Sequence, residues 1–464
     1  MRALLYESSD NLREIKKYIN DHTDLNCVYH ICAGPHADLH VHDWDQPNFE
    51  FSYYGGYASG IYSIVRPKFA IFVDMYCRNL SPKKQNLYRN WTYHKYLNVF
   101  NILLDEISRV LIENQIEIVV FQRIPHLGSD YLLYVVAHAL QLKVVILQQC
   151  PSAFGERFFL FSDIDDFGLF SSSINFGESV ALPEINWGFE HSWEYMKQIE
   201  DFSERLKRIK SNRFSLLNLE KTFWHFFGAN AESRTTRRYK KLAKEKEIAY
   251  LETINKTCSV NPELGGPFVY FPLHLQPEMT TSSLGGDFTD QALALERLHD
   301  ILPQGWRILV KENPKQTAFM RDEAFFCRLR RLESVILVHP RVSTVSLLKN
   351  CSLVATITGT AGWEALLAGK PTLVFGKPWY RSLEGVFEYS GSIDIKTVSD
   401  AKPTRRAIES GLNELARKTG SGRVYGSGQR QALLHSKENG ILVAQSLQKY
   451  IRETNRINGQ TPCL

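Results

Sequence analysis

The segment Leu353–Gly376, LVATITGTAGWEALLAGKPTLVFG, constrains the fold more than any other stretch of the chain. An apolar, β-branched run leads into Thr358, a small-residue turn follows, and a helical pattern covers Trp363–Ala368. A second apolar run then begins after Gly369-Lys370-Pro371. This order predicts a strand, a turn, a helix and a second parallel strand. Gly359 and Gly362 let the backbone turn sharply and approach a ligand closely. The free N–H groups and the positive dipole end of the following helix suit a phosphate. Glu364, placed by this reading in the first helical turn, can accept hydrogen bonds from sugar hydroxyls. It suits the helix N-terminus equally well with no ligand.

The same alternation recurs along the chain and predicts an α/β protein. In the first part, Ala3–Tyr6, Phe69–Asp74, Ile116–Phe121 and Val144–Leu147 read as strands, with helices over Asn11–Ile19, Tyr96–Glu113 and Asp130–Leu140. From about Trp187 to Asn255 long charged helical patterns replace the strands, and Pro/Gly residues near Gly265-Gly266-Pro267 mark a linker. Beyond it the predicted strands are 268–272, 307–311, 335–337, 353–357 and 372–375, alternating with helices over 290–300, 319–332, 344–350 and 363–368. A length of 464 residues suggests two domains. The expected division is a Rossmann-like domain at 1–186, a helical basic insertion or bridge at 187–260, a second Rossmann-like domain at 261–400 and a helical tail at 401–464. The two Rossmann-like domains are expected to face a cleft, with ligands gathering at the carboxyl ends of the strands.

The polar residues of the second part cluster just after its predicted strands. His274, Gln276 and Glu278 follow the first strand, and Lys311, Glu312, Asn313 and Pro314 close the second. Thr358, Gly359, Thr360 and Gly362 follow the fourth, and Gly376–Tyr380 the fifth. Four such loops at one sheet edge would form a shared rim suited to a nucleotide-activated sugar, with phosphate on Lys311 and the helix N-terminus and ribose on Glu364. Glu278 is the candidate carboxylate for chemistry at the glycosidic carbon; a salt-bridged or capping surface acid is the competing reading. His274 could donate to the sugar or be a core histidine bonded to backbone. In the first part, His126 and Asp130 lie four apart and could act as a base and its orienter, while Ser129 and Asp130 equally suit a helix N-cap.

Charge and cysteine content narrow the setting. The net charge of +5 is mild but uneven: Arg205–Arg213 and Arg234–Lys246 form two basic clusters around Phe223-Trp224-His225-Phe226-Phe227. Basic residues within 205–246 could rest on an anionic membrane surface or grip a phosphorylated acceptor; solvated helices around a buried aromatic plug are the alternative. No nucleic-acid recognition motif accompanies them. The eight cysteines show no C-x-x-C pair and no metal-ligand spacing, and they read as reduced thiols. No signal-peptide pattern opens the chain and no apolar segment approaches the ~20 residues of a membrane span, so a cytoplasmic protein, peripheral at most to the inner membrane, is expected.

Three motifs together carry a family resemblance. Tyr270-Phe-Pro-Leu-His274-Leu-Gln276-Pro277-Glu278, Val310-Lys311-Glu312-Asn313-Pro314 and Thr356-Ile-Thr-Gly359-Thr-Ala-Gly362-Trp363-Glu364-Ala-Leu with Gly369-Lys370-Pro371 resemble the bacterial capsule polysaccharide biosynthesis proteins. That group includes transferases of 3-deoxy-manno-oct-2-ulosonic acid (Kdo) and is distantly similar to bacterial sialyltransferases. The likeness is strongest over 270–385 and weaker over 116–168, where Ile-Pro125-His126 and Asp165-Asp166-Phe-Gly168 recur. It implies a GT-B glycosyltransferase that moves an ulosonic acid, Kdo first among them, from a CMP-sugar to a capsule, O-antigen or lipid-linked saccharide. Neither a metal nor a further cofactor is implied.

On this resemblance Lys311, Asn313 and Pro314 would lie by the CMP phosphate, and Thr358, Gly359, Thr360 and Glu364 on the nucleotide. Asn313 stands where the family usually carries histidine. It can donate a hydrogen bond but cannot become a cation or transfer a proton near neutral pH. The rival readings are a sialyltransferase-like or UDP-sugar GT-B enzyme, an epimerase on the same plan, or a non-catalytic scaffold of capsule assembly.

Overall fold

The computed structural model describes residues 1–45, 55–78, 91–177, 182–188, 202–211, 231–276, 278–426 and 431–459. They form two compact α/β units, the first from parts of 1–79, 91–185 and 409–464, the second from parts of 186–408. Two Rossmann-like units with a helical C-terminal segment are what the alternation predicted.

The first unit is built on β1 (Arg2–Tyr6), β2 (Asn26–Cys32), β3 (Leu39–His40), β4 (Ile118–Phe121), β5 (Lys143–Gln149) and β6 (Arg157–Phe161). The order β6-β5-β4-β1-β2-β3 is parallel from β3 to β5, and β6 runs antiparallel. Leu5, Val120, Leu147 and Leu160 bury one face against Ile15 and Ile19 of helix Arg13–His22 and against Val443, Leu447 and Ile451 of helix Lys437–Gly459.

One expected strand is wrong. Phe69–Asp74 lies in a helix, Phe69–Arg78. Phe69, Phe72, Met75 and Tyr76 are buried while Ile71 is 40% exposed, a spacing of three to four rather than two. Continuous apolar character concealed that period.

The second unit holds β7 (Phe268–Pro272), β8 (Arg307–Lys311), β9 (Val335–Val338), β10 (Leu353–Thr356), β11 (Thr372–Val374) and β12 (Val386–Glu388). All pairings are parallel in the order β12-β11-β10-β7-β8-β9. Side chains alternate between two buried faces: Val269, Phe271, Ile308 and Val310 meet Leu295 and Leu298 on one, and Phe268, Tyr270 and Leu309 meet Leu347 and Leu348 on the other. A last strand, β13 (Thr419–Ser421), returns to the first unit and pairs antiparallel with β6.

The charged segment yields helices Phe202–Ser211 and Ala231–Thr257. Phe202, Tyr250, Leu251 and Ile254 pack with Phe326, and Arg205 pairs with Glu247 at 2.6 Å and Lys210 with Glu252 at 2.6 Å. Part of the basic cluster is therefore neutralised within the fold. The aromatic segment 223–227, Arg213, and the side chains of 231–240 lie outside the described residues. Among the described residues no helix is long and apolar enough to cross a membrane.

Candidate active site

In the second unit the chain starts in the middle of its sheet. From β7 it passes to β8 and β9 on one side, then crosses back to β10, β11 and β12 on the other. The carboxyl ends of β7 and β10 therefore splay apart, and such a switch point is where open parallel sheets bind ligands. A cavity of about 250 Å³ lies there. The loop after β7 contributes His274, Glu278 and Thr280, the end of β8 contributes Lys311–Lys315, and the end of β10 contributes Thr356 and Thr358–Ala361. The fourth expected loop, Gly376–Tyr380, is not part of the lining. Tyr380 is fully buried and donates its hydroxyl to Gly359 O instead.

The turn after β10 is fixed by short polar links. Gly359 N–H donates to Thr356 Oγ1 (3.2 Å), and Thr358 Oγ1 donates to Thr280 O (2.7 Å), tying the β10 loop to the β7 loop. His274 Nε2 lies 2.9 Å from Thr356 Oγ1 and 3.4 Å from Thr358 N. Because the Thr358 amide can only donate, and Thr356 Oγ1 already accepts from Gly359, we assign Nε2 as the acceptor and Nδ1 as the protonated ring nitrogen. Burial, then the charge of Arg321, pushes the imidazole down to about 4, so it is neutral in the physiological range.

Helix Thr360–Leu367 starts three residues earlier than predicted, with Gly359 as its N-cap and no side-chain cap. The amides of Thr360 and Ala361 thus open the helix at the cavity wall. This start moves Glu364 into the second turn, half-buried and away from the lining. Its carboxylate lies near Tyr270 and Tyr380, whose phenols are pushed up first by burial. Gly362 likewise does not line the cavity. A Cβ there would meet Tyr380 Oη at 2.3 Å and Thr372 Cγ2 at 2.8 Å, so its role is close packing. Gly362→Ala should lower unfolding stability by about 1–3 kcal/mol through overpacking; an unchanged urea midpoint would contradict this placement.

Lys311 and Glu312 end β8 in opposite roles. The Lys311 ammonium donates to Val342 O and Thr344 Oγ1, both at 2.6 Å, and burial pushes it down to about 8. An unfolded lysine titrates near 10.4, so between about 8 and 10 the unfolded chain binds more protons and stability rises with pH. Affinity for an anion that needs the charged ammonium should move the other way. Titrating nucleotide against pH should show binding held below about pH 8 and declining above it, a decline that Lys311→Met lacks.

Glu312 is fully enclosed, and burial pushes its carboxyl up while Arg321 opposes the shift. Arg321, 1% exposed, donates from Nε to Glu312 Oε2 (3.0 Å), from Nη1 to Gln276 Oε1 (2.6 Å) and from Nη2 to His274 O (3.0 Å). Gln316, also fully buried, accepts from Gln276 N–H and donates to Gln276 O. Glu312 and Gln276 are thus engaged in holding two loops together, and Gln276 does not line the cavity. Thr344 fell inside the helix predicted over 344–350 and Arg321 inside the one predicted over 319–332, so both escaped the sequence reading. The latter helix begins only at Glu323, capped by Asp322.

Glu278 stands at the cavity lip, exposed on one side. The protein around it pushes its carboxyl up, with Lys315 and Thr280 opposing. Pro277 lies outside the described residues. Asn313 Oδ1 accepts from Lys315 N–H at 3.0 Å, an Asx-turn that shapes the loop. Pro314 completes that wall.

His126 and Asp130 belong to the first unit. Asp130 accepts from the amides of His126 (2.9 Å), Leu127 (2.6 Å) and Tyr131 (2.6 Å), while His126 Nδ1 faces Ile124 O at 2.8 Å and Asp130 Oδ2 at 3.7 Å. The carboxylate is spent on backbone amides, two of them in the loop before the helix, and no side chain caps the helix start. Gly128, not Ser129, occupies the N-cap position.

Fold and site together define a two-unit α/β protein with a polar, anion-suited cavity at a parallel-sheet switch point. Residues 229–421, which include all six strands of the second unit and the whole cavity lining, match the family model described as capsule polysaccharide biosynthesis protein. Over this segment, less than half of its length, the chain is similar to that family. A stretch of 60 residues is 37% identical to the capsule polysaccharide modification protein LipA of Neisseria meningitidis serogroup B, covering 13% of this chain and 8% of that protein. The LipA of serogroup A aligns to the same extent, so the match spans under a tenth of these relatives' length. Among solved structures, the β-Kdo 2,7 transferase KpsC of Thermosulfurimonas dismutans aligns at 11% identity over 80% of this chain and 95% of that one, with a TM-score of 0.30. A UDP-GlcNAc 2-epimerase from Methanocaldococcus jannaschii aligns at 12% identity over 97% and 99%, with a TM-score of 0.24.

Proposed function

We propose that this protein is a glycosyltransferase that moves an ulosonic acid, Kdo first among them, from a CMP-sugar to a capsule, O-antigen or lipid-linked saccharide. The observation that carries the reading is the combination of a helix N-terminus, a buried lysine, a neutral imidazole and a lip carboxylate around one switch-point cavity. In this reading the phosphate lies against the amides of Thr360 and Ala361 with the Lys311 ammonium near it. Positive charge fixed in place stabilises a departing phosphate better than mobile solvent does. His274 offers a neutral donor face and takes no part in proton transfer, since its proton affinity is too low. Glu278 is the group for the anomeric carbon, acting as nucleophile in a double displacement or stabilising positive charge that develops there.

No metal is required in this reading, because lysine and helix dipole supply the charge a divalent ion would bring. The basic residues within 205–246 are a proposed contact with an anionic membrane surface or acceptor. Nucleic acid is not a proposed partner. Incubation of the full chain with CMP-Kdo and a capsule-type acceptor, with and without EDTA, tests the reading. CMP release that survives EDTA is expected; absence of turnover with every CMP-sugar tried would overturn it.

A further inference from the structure

At the carboxyl edge of the first unit's sheet, four side chains able to bind a metal gather. Glu7 directly follows β1, and its N–H donates to Ile31 O, which carries the pairing with β2 one residue further. His30 and Cys32 stand two apart on β2 and so project from the same face. Asp10 lies on the loop after β1. Glu7, His30 and Cys32 are all buried, and one ligand atom from each lies within 4.8 Å of the other two. Glu7 Oε1 is 3.0 Å from His30 Nε2, and Asp10 Oδ1 is 3.8 Å from Cys32 Sγ.

A Glu–His hydrogen bond accounts for only two of these groups. It does not explain why a thiol and a second carboxylate stand beside it. Gly34 N–H donates to Cys32 Sγ at 3.4 Å, a contact that favours the sulfur as thiolate. Among the described residues, no lysine or arginine pairs with Glu7 or Asp10. Glu7 is also braced from behind, as metal-bound carboxylates are: its Oε2 accepts from the amides of Asn11 (2.7 Å) and Leu12 (3.0 Å) and from Ser9 Oγ (3.1 Å).

Tetrahedral zinc, with bonds of about 2.0–2.3 Å, sets its ligand atoms about 3.3–3.7 Å apart, a spacing the three buried atoms reach by shifts of about an ångström or less. One sulfur, one imidazole nitrogen and carboxylate oxygens suit this ion, whereas calcium and magnesium take oxygen ligands. We propose that Glu7, His30, Cys32 and Asp10 bind one zinc ion that ties β1, β2 and the loop after β1 together. On binding, the Cys32 thiol releases its proton to solvent and the His30 ring proton passes from Nε2 to Nδ1. Nε2, Sγ and one oxygen of each carboxylate then give the ion a lone pair. Four protein ligands close the coordination shell, so the site is structural. It takes no part in the chemistry proposed for the second unit's cavity, and either assignment can fail alone. The spacings Glu7-x-x-Asp10 and His30-x-Cys32 contain a single cysteine, which is why a search for cysteine pairs passes over them.

The test uses the full-length protein, stripped by prolonged dialysis against a chelator under reducing conditions and then reloaded. One zinc per chain is expected to remain after desalting. Cobalt(II) in its place should give the intense near-ultraviolet charge-transfer band of a cobalt–thiolate bond, and Cys32→Ser should abolish that band. Glu7→Gln, His30→Gln and Asp10→Asn should each weaken zinc by about tenfold or more, whereas Cys258→Ser, in the second unit, should leave it within about twofold. Circular dichroism identifies a variant that fails to fold, and Asp10→Asn, on the partly exposed side, then carries the comparison. No zinc uptake by the unmodified protein, a cobalt band that survives Cys32→Ser, or zinc affinity unchanged in the folded ligand variants would overturn the assignment.

Discussion

Glu278→Gln is expected to reduce turnover of a CMP-activated sugar acid by about 10²–10⁴-fold while leaving CMP affinity within about twofold. The substitution keeps the shape of the lip and removes only charge and nucleophilicity. Glu278 is exposed, and its side chain makes no cap bond to the short helix Met279–Ser282 that it precedes. Folding therefore asks little of the carboxylate, which allows the catalytic and structural readings to be separated. If the carboxylate were only a surface acid, turnover would stay within a few-fold of the unmodified protein.

The second large effect concerns stability. Arg321→Leu should cost about 3–5 kcal/mol, because it leaves the Glu312 carboxylate buried without its ion partner. It also removes the donors to Gln276 Oε1 and His274 O. Chemical denaturation measures the loss. The double variant Arg321→Leu/Glu312→Gln should recover part of it, since a neutral amide is cheaper to bury than an unpaired charge. A single variant that unfolds at the wild-type midpoint would show that the network holds nothing together. Because these bonds position His274 and the 273–278 loop, the surviving folded fraction should also bind nucleotide more weakly.

The second unit was far more legible in the sequence than the first. Its strands are short apolar runs ending in polar clusters, a pattern that fixes both the sheet and the edge where ligands gather. His274, Glu278, Lys311 and the Thr358–Thr360 turn were found this way, and the structure brings them to one cavity. What the sequence concealed was which polar groups are already satisfied. Gln276 and Glu312 look like ligand contacts in a motif, but Arg321, 45 and 9 residues away from them, takes up their oxygens. Gly362 looks like part of a phosphate turn, yet its lack of a side chain serves Tyr380, on the loop after β11.

In the first unit the signal failed where burial was uneven. The Phe69–Arg78 helix carries apolar residues on its outer as well as its inner side, and strand Asn26–Cys32 carries His30 buried against Glu7 at 3.0 Å, a pairing no local pattern reveals. Asp130 has the spacing of a catalytic orienter, yet its oxygens hold the backbone amides of His126, Leu127 and Tyr131. Sequence spacing cannot distinguish these, because both uses place the carboxylate within one turn of His126.

The proposed function depends above all on the β7/β10 cavity being a nucleotide-phosphate site built around Lys311 and the helix that begins at Thr360. Calorimetric titration of CMP into the unmodified protein and into Lys311→Met tests it most directly. One CMP per chain at neutral pH is expected, with at least about a tenfold loss of affinity in the variant. No CMP binding, or equal affinity with and without the lysine, would contradict it.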